Sequence, residues 1–274
     1  MPGKLSRFRW LRLFPGFLAA ILLTDGARGE DCPSAKDAPV SVVSLPDART
    51  VVLADGRQVR PAGLESFALL QVAGADADEA LAAGLRTLLG GSSVAVVPVS
   101  AKADRHGRIP ALLFLPDGPL VQEILASGGL AIAWTGEADL PCFNRILAAE
   151  DIGRRSHAGR WGGDLAQLPE ATPAALHPFV GGFAVFEGKV ATVGARPART
   201  YLNFGGRWAE DVTVTVSARD REAFGGEAAL KALAGRRVRV RGFVEDHGGP
   251  AVAVRSPAQL EVLPILPASV AEKP

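Results

Sequence analysis

The sequence predicts a mainly β chain with interspersed helices (α+β), divided into two strand-rich units. Three observations carry that prediction. From Val40 to Val254 apolar residues alternate with period two in short runs, the pattern of half-buried strands. Only a few stretches switch to helical spacing. Residues 163–178, with three prolines and several alanines, separate two patterned regions as a linker would. The 274 residues are enough for one large core or two small ones. With 48% hydrophobic and 22% charged residues, wholesale disorder, collagen and coiled coil are excluded. No run of about 18 apolar residues occurs, which excludes a polytopic membrane protein.

Taken in order, residues 1–29 carry Lys4, Arg7, Arg9, Arg12 and Arg28 against Asp25, a local charge of +4. The basic start, the apolar Leu13–Leu23 and the small residues around Arg28 read as a secretory signal peptide. Cleaved or kept as an N-terminal anchor, it places the bulk of the chain in the periplasm or outside the cell. Cleavage would leave a charge of −3 and no membrane-spanning segment. A lead-in, 30–39, precedes the strands Val40–Leu45, Thr50–Ala54 and Arg57–Leu64, the last two joined by the hairpin signal Asp55-Gly56. A helix capped by Asp76 or Asp78 then carries Leu81, Leu85, Leu88 and Leu89 on one face and stops at Gly90-Gly91. Val94–Val99 and Ile109–Leu115 are strands, with Pro110 marking an edge or a bulge. A short helix from Pro119 to Gly128 follows, then the apolar Leu130–Trp134 and a helix from Pro141 to Arg155.

Beyond the linker, Phe183–Val193, Thr200–Phe204, Val212–Val216, Arg237–Glu245 and Ala251–Val254 read as strands, with one helix near Arg221–Leu233. This second unit, 179–265, suggests a small Greek-key barrel, and a loose tail, 266–274, ends the chain. Charge divides the units too: residues 30–177 hold 12 basic and 18 acidic side chains (−6), residues 178–265 hold 12 and 9 (+3).

Cys32 and Cys142 are the only cysteines. They either pair or remain apart as two thiols, and an oxidising compartment favours the bridge. The four histidines are scattered and form no ligand pair, so no metal site is predicted. Phosphate-cradling Gly-Lys-Ser/Thr, Gly-x-Gly-x-x-Gly and Gly-x-Ser-x-Gly elements are missing, which disfavours P-loop and serine-hydrolase chemistry.

At Val59-Arg60-Pro61-Ala62-Gly63-Leu64-Glu65-Ser66 and at Asp104-Arg105-His106-Gly107-Arg108, the chain resembles the staphylococcal-nuclease-like (thermonuclease) family. Leu120-Val121-Gln122-Glu123 is similar to the family's next helix, and Trp161 stands near the end of the last. The resemblance covers about residues 40–162. It implies an SNase-like OB-fold barrel with helices, and in the family's enzymes a calcium-dependent cleavage of DNA and RNA. Such chemistry needs carboxylate ligands for calcium, two arginines on the phosphoryl oxygens and a Glu that activates water.

By this resemblance Arg60 and Arg108 stand at the two arginine positions. The family's metal-binding Asp-Gly-Asp-Thr falls on Asp47-Ala48-Arg49-Thr50, so a ligand carboxylate is replaced by Arg49. The second ligand position is Glu65, followed by Ser66, and the general-base position is Ala68. Losing a general base costs about 10²–10⁴ in rate, and a guanidinium repels calcium at contact distance. The expectation is a remnant site (Arg60, Arg108, Glu65) with calcium lost and no other cofactor. Arg49, Arg60 and Arg108 then form a metal-free pocket for a phosphate or carboxylate, or an Arg49–Glu65 pair closes the site.

Residues 183–263 resemble a second OB-like barrel of the kind that accompanies some secreted thermonuclease-like proteins. There Tyr201 stands opposite Leu202 and Phe204. Arg237, Arg239 and Arg241 share one strand face with Phe243. A basic row beside an aromatic suits single-stranded nucleic acid, whereas the modest +3 charge favours a solvated or covered face. The sequence therefore points to an exported binding or scaffold module, with an envelope protein as one possible kind of partner. A divergent phosphodiesterase with altered metal needs is the competing reading.

Overall fold

The computed structural model describes residues 32–70, 76–136, 140–165, 167–206 and 210–264. The expected signal peptide and the tail lie outside the described residues. The chain is mixed α/β with β predominating, and its strands fall into several sheets.

In the first unit β1 (Val40–Asp47), β2 (Thr50–Leu53), β3 (Gln58–Pro61), β5 (Ser93–Pro98) and β6 (Ile109–Phe114) close a barrel in the order β1-β2-β3-β6-β5. The β2–β3 turn is the Asp55-Gly56 hairpin read from sequence, with Gly56 at φ 87°. Only β3 and β6 run parallel; β1 closes the ring through Val40↔Val94. Pro110 therefore lies in an interior strand. That position is tolerated because it is the second residue of β6, where the missing N–H interrupts little of the ladder. A two-stranded ribbon, β4 (Leu64–Glu65) with β7 (Ile132–Ala133), sits beside the barrel.

Helix α1 (Ala77–Leu89) inserts Leu81, Leu85 and Leu89 into the barrel core with Val51, Val59 and Leu112. Asp76 occupies its N-cap position without making a side-chain cap bond. Its carboxylate pairs with Arg160 instead, at 2.5 Å. Helix α2 (Val121–Ser127) carries the buried Gln122, whose amide donates to the carbonyls of Ala62 (3.2 Å) and Ala111 (2.9 Å) and accepts the Leu113 N–H (3.2 Å). A fully paired buried amide fixes α2 on the barrel in one register. Helix α3 (Phe143–Arg155) packs on α2. Its first turn is tied to the lead-in by the Cys32–Cys142 disulfide.

The described residues of 163–178 carry local structure of their own. A short helix, α4 (Pro173–Leu176), is capped by Thr172, whose Oγ1 accepts the Ala175 N–H. Glu170 bridges to Glu187, and Leu176 is fully buried. Apolar burial outweighs the local loop signals.

The second unit is one seven-stranded sheet running β14-β12-β13-β11-β10-β9, with β8 also paired to β12. Its strands are β8 (Phe183–Lys189), β9 (Thr192–Ala195), β10 (Arg199–Asn203), β11 (Thr213–Ser217), β12 (Arg237–Asp246), β13 (Pro250–Val254) and β14 (Leu260–Val262). The long β12 pairs with β8 over Arg237–Phe243 and with β13 over Val244–Asp246. The β14 strand is an addition to the sequence reading, entered through a capping box at Ser256 and Gln259. The helix expected over 221–233 is split into a turn at Arg221–Phe224 and α5 (Gly226–Lys231). Gly225 and Gly226, at φ 81° and 82°, break it.

Candidate functional site

The β1–β2 turn is set by Asp47. Its Oδ1 accepts the Arg49 N–H (2.7 Å) and its Oδ2 accepts the Thr50 hydroxyl (3.0 Å), an Asx-type turn. This directs Arg49 toward β4 and α1. Arg49 Nε meets Glu65 Oε2 at 3.1 Å, and its Nη1 lies 3.3 Å from Asp78 Oδ1. Arg60, from β3, donates through Nη1 to Glu65 Oε1 at 2.9 Å. Each oxygen of Glu65 is thus held by a different guanidinium.

Electrostatics follow the geometry. Partial burial works against the Arg49 cation, but the charges of Glu65 and Asp78 outweigh it and raise its pKa. The Asp78 carboxyl is held below its ordinary value by a Ser66 hydrogen bond and, against some burial, by Arg49. Ser66, fully buried, also accepts the Ala68 N–H at 3.0 Å. Ala68 itself is exposed on a single 3-10 turn, so no carboxylate stands at that position.

The loop before β6 is organised around Asp104. Burial by itself would raise its pKa. Hydrogen bonds from Arg108 Nε (2.9 Å), Arg108 N–H (3.0 Å) and His106 N–H (2.8 Å) overcome this and hold it at about 2. Arg108 also reaches Thr50 Oγ1 at 3.4 Å, linking this loop to the β1–β2 turn. Arg49, Arg60, Glu65, Asp104, Arg105 and Arg108 line one open cleft of about 1020 Å³. The structure therefore brings Arg49, Arg60, Glu65 and Arg108 together, each arginine of the predicted trio facing a carboxylate. Asp78, 29 residues from Arg49 in the chain, is marked in the sequence only as a helix cap. Its pairing with Arg49 carries no local sequence signal.

The residues do not fit a calcium ion. Among the described residues no group of three or more His, Cys, Asp or Glu is placed to hold a metal. The carboxylates of Glu65 and Asp78 are spent on Arg49 and Arg60. No protein-family model matches the chain, and no curated protein is significantly similar to it.

In the second unit the basic row is paired with acids. Arg237, Arg239 and Arg241 do share one face of β12, but that face is turned toward the first unit. Arg241 is 1% exposed and bonds Glu150 of α3 (3.0 Å), Glu261 (2.6 Å) and the Ala133 carbonyl (2.7 Å). Arg239, 4% exposed, meets Glu187 (2.9 Å), Asp151 (3.1 Å) and Glu261 (3.4 Å). Arg237 is more exposed and is paired with Glu170 and Glu187. Alternation assigns side chains to a face and says nothing of what covers it. Arg239 and Arg241 are thus buried in ion pairs, and of the row only Arg237 stays exposed. Tyr201 lies elsewhere, on the outer face of β10, where it lines a separate groove of about 250 Å³.

Proposed function

We propose that the chain is an exported, non-hydrolytic binding or scaffold module of the cell envelope. In this reading the first unit is a thermonuclease-like OB barrel whose former catalytic centre, though it borders an open cleft, has its charges closed off by its own ion pairs, and the second unit is a smaller OB-like barrel. One observation carries it: the Arg49 guanidinium lies between Glu65 and Asp78, and by the family resemblance Arg49 and Glu65 stand at metal-ligand positions. A cation supplied by the chain itself satisfies those carboxylates without an ion, and the Ala68 position offers nothing to deprotonate water. The five-stranded barrel order and the Asp104–Arg108 loop support the family reading. The disulfide suits an exported chain.

The test is direct. Purified protein is incubated with single-stranded DNA, duplex DNA and RNA in calcium, magnesium or manganese, and calcium is titrated by calorimetry. The expected results are intact substrates and no calcium heat. Cleavage that disappears in Arg108→Ala would establish the divergent phosphodiesterase instead. Heat from inorganic phosphate, lost in Arg60→Ala, would show that the arginines stay open to anions and overturn the closed centre.

A further inference from the structure

On the outer face of the second sheet, Tyr201 is flanked by very small neighbours. Across the strands it pairs with Gly194 on β9 and Thr215 on β11, and Thr215 pairs with Ala253 on β13. The next row is Thr192, Asn203, Thr213 and Ala251. The direct cross-strand neighbours of Tyr201 are thus a glycine and a threonine. Gly194 is the telling residue: a Cβ built there meets nothing within 4 Å, and its backbone is outside the left-handed region. Neither packing nor conformation demands glycine at this strand position. Glycine weakens a strand and is favoured where a ligand approaches closely.

Three polar groups near the ring are unspent. Among the described residues the Tyr201 hydroxyl, the Thr215 hydroxyl and the exposed Arg199 guanidinium have no hydrogen-bond or ion-pair partner, and Tyr201 and Arg199 line the same groove. The Asn203 amide, by contrast, is oriented by Thr192 (3.2 Å) and Thr213 (3.4 Å). From Arg199 to Asn203 the floor runs about 13 Å along β10, long enough for a short oligosaccharide.

We propose that this groove is an acidic-sugar site, with Tyr201 as the stacking platform and Arg199 as the partner of a carboxylate on the glycan. A pyranose offers an apolar C–H face to an aromatic ring and a rim of hydroxyls to groups that both donate and accept, which Thr and Tyr hydroxyls do. Arg199 supplies a planar fork for a carboxylate. Single-stranded nucleic acid fits less well. It needs a cationic track along the backbone, whereas Arg239 and Arg241 are buried against acids and the groove is lined by a single arginine, Arg199, together with Asp211 and His247. This site lies apart from the first unit's cleft, so its test does not depend on the closed centre there.

Tyr201 is the only tyrosine in the chain, which makes it a unique reporter. Full-length protein labelled with 3-fluorotyrosine gives one ¹⁹F resonance. It is titrated with trigalacturonate, a hyaluronan tetrasaccharide, sialyllactose, neutral maltotriose and oligothymidylate. The expected result is a saturable shift with at least one acidic glycan at millimolar concentration or below. Binding should weaken by about tenfold or more in Arg199→Ala, the weight of one charge-assisted hydrogen bond. It should be abolished in Gly194→Leu, which fills the flank of the ring without backbone strain. An unchanged melting curve checks the folding of each variant. Silence with all three acidic glycans overturns the proposal, as does a response to oligothymidylate alone. Binding unaffected by either substitution overturns it as well.

Discussion

Arg241 on β12 and Glu150 on α3 are each 1% exposed and face one another at 3.0 Å across the junction of the two units. Glu150 also accepts the Ala133 N–H through the same oxygen, at 2.6 Å, and Arg241 returns a bond to the Ala133 carbonyl. The pair therefore joins one helix, the β4–β7 ribbon and the second sheet at a single buried point. Glu261 gives Arg241 a second carboxylate, and Arg239 continues the network through Glu187 and Asp151.

Removing one partner of such a pair leaves a buried charge without compensation. Arg241→Ala should destabilise the protein by about 3–5 kcal/mol, seen as a lower midpoint in urea. Arg241→Met combined with Glu150→Leu should cost much less, since it removes both charges and keeps apolar volume. Equal losses in the single and double variants would contradict this account.

The junction also shows what the sequence could and could not disclose. The hairpin at Asp55-Gly56, the leucine face of α1 and the convergence of Arg60, Glu65 and Arg108 are local or motif-borne, and they are legible. Glu150 carries a signal too. It falls on the buried helix face with Phe143, Ile146 and Leu147, where a carboxylate demands a cation. The arginine row of β12 is equally visible. Matching the two requires knowing that β12 packs across 91 residues of chain onto α3, and such tertiary pairing has no periodicity. The same limit hides the Arg49–Asp78 contact.

Introducing a carboxylate at the β1–β2 turn tests the first unit. Arg49→Asp would bring a new carboxylate near Asp47, Glu65 and Asp78, with Arg60 still on Glu65. Calcium affinity should appear by calorimetry in this variant and not in the parent protein, because a hard oxygen ligand replaces a repelling charge. Hydrolysis should remain negligible without a water-activating residue. A variant that folds and stays indifferent to calcium would argue against the proposed ancestry of the site.

Acid sensitivity follows from the same carboxylates. Asp104 sits at about 2 in the folded protein against an ordinary 3.8, and Asp78 and Asp151 are also lowered. The unfolded chain then binds protons first as pH falls. The stability these groups supply is complete above pH 3.8 and is lost as pH drops toward 2. Asp104→Asn should lower stability at pH 7 and flatten this acid limb, as measured by denaturation midpoints from neutral pH down to about 2. An unchanged limb would mean that the Arg108 pair contributes nothing to the linkage.

The Cys32–Cys142 bridge closes a separation of 110 residues, encircling nearly the whole first unit. Constraining so long a loop in the unfolded chain is worth about 2–5 kcal/mol. The double substitution Cys32→Ser with Cys142→Ser should lower the melting temperature. The first unit should still fold, because its core, from Val51 to Ala149, is largely independent of the lead-in. Loss of all cooperative unfolding would show that the bridge is needed to form the barrel rather than to stabilise it.

Gly153 on α3 tests how tightly the helices meet. A Cβ there would lie 2.7 Å from the carbonyl oxygens of both Ala126 and Ser127, at the C-terminal end of α2. Backbone atoms cannot swing aside as a side chain end can, so Gly153→Ala must push the two helices apart. Overpacking typically costs about 1–3 kcal/mol. The upper part of that range is expected here, because two rigid carbonyls are struck at once and α3 carries Glu150 one turn earlier. Displacing α3 would also lengthen the Glu150–Arg241 contact. Gly153→Ala and Arg241→Ala should therefore be less than additive in a double-variant cycle, and strict additivity would show that the helix contact and the buried pair act independently.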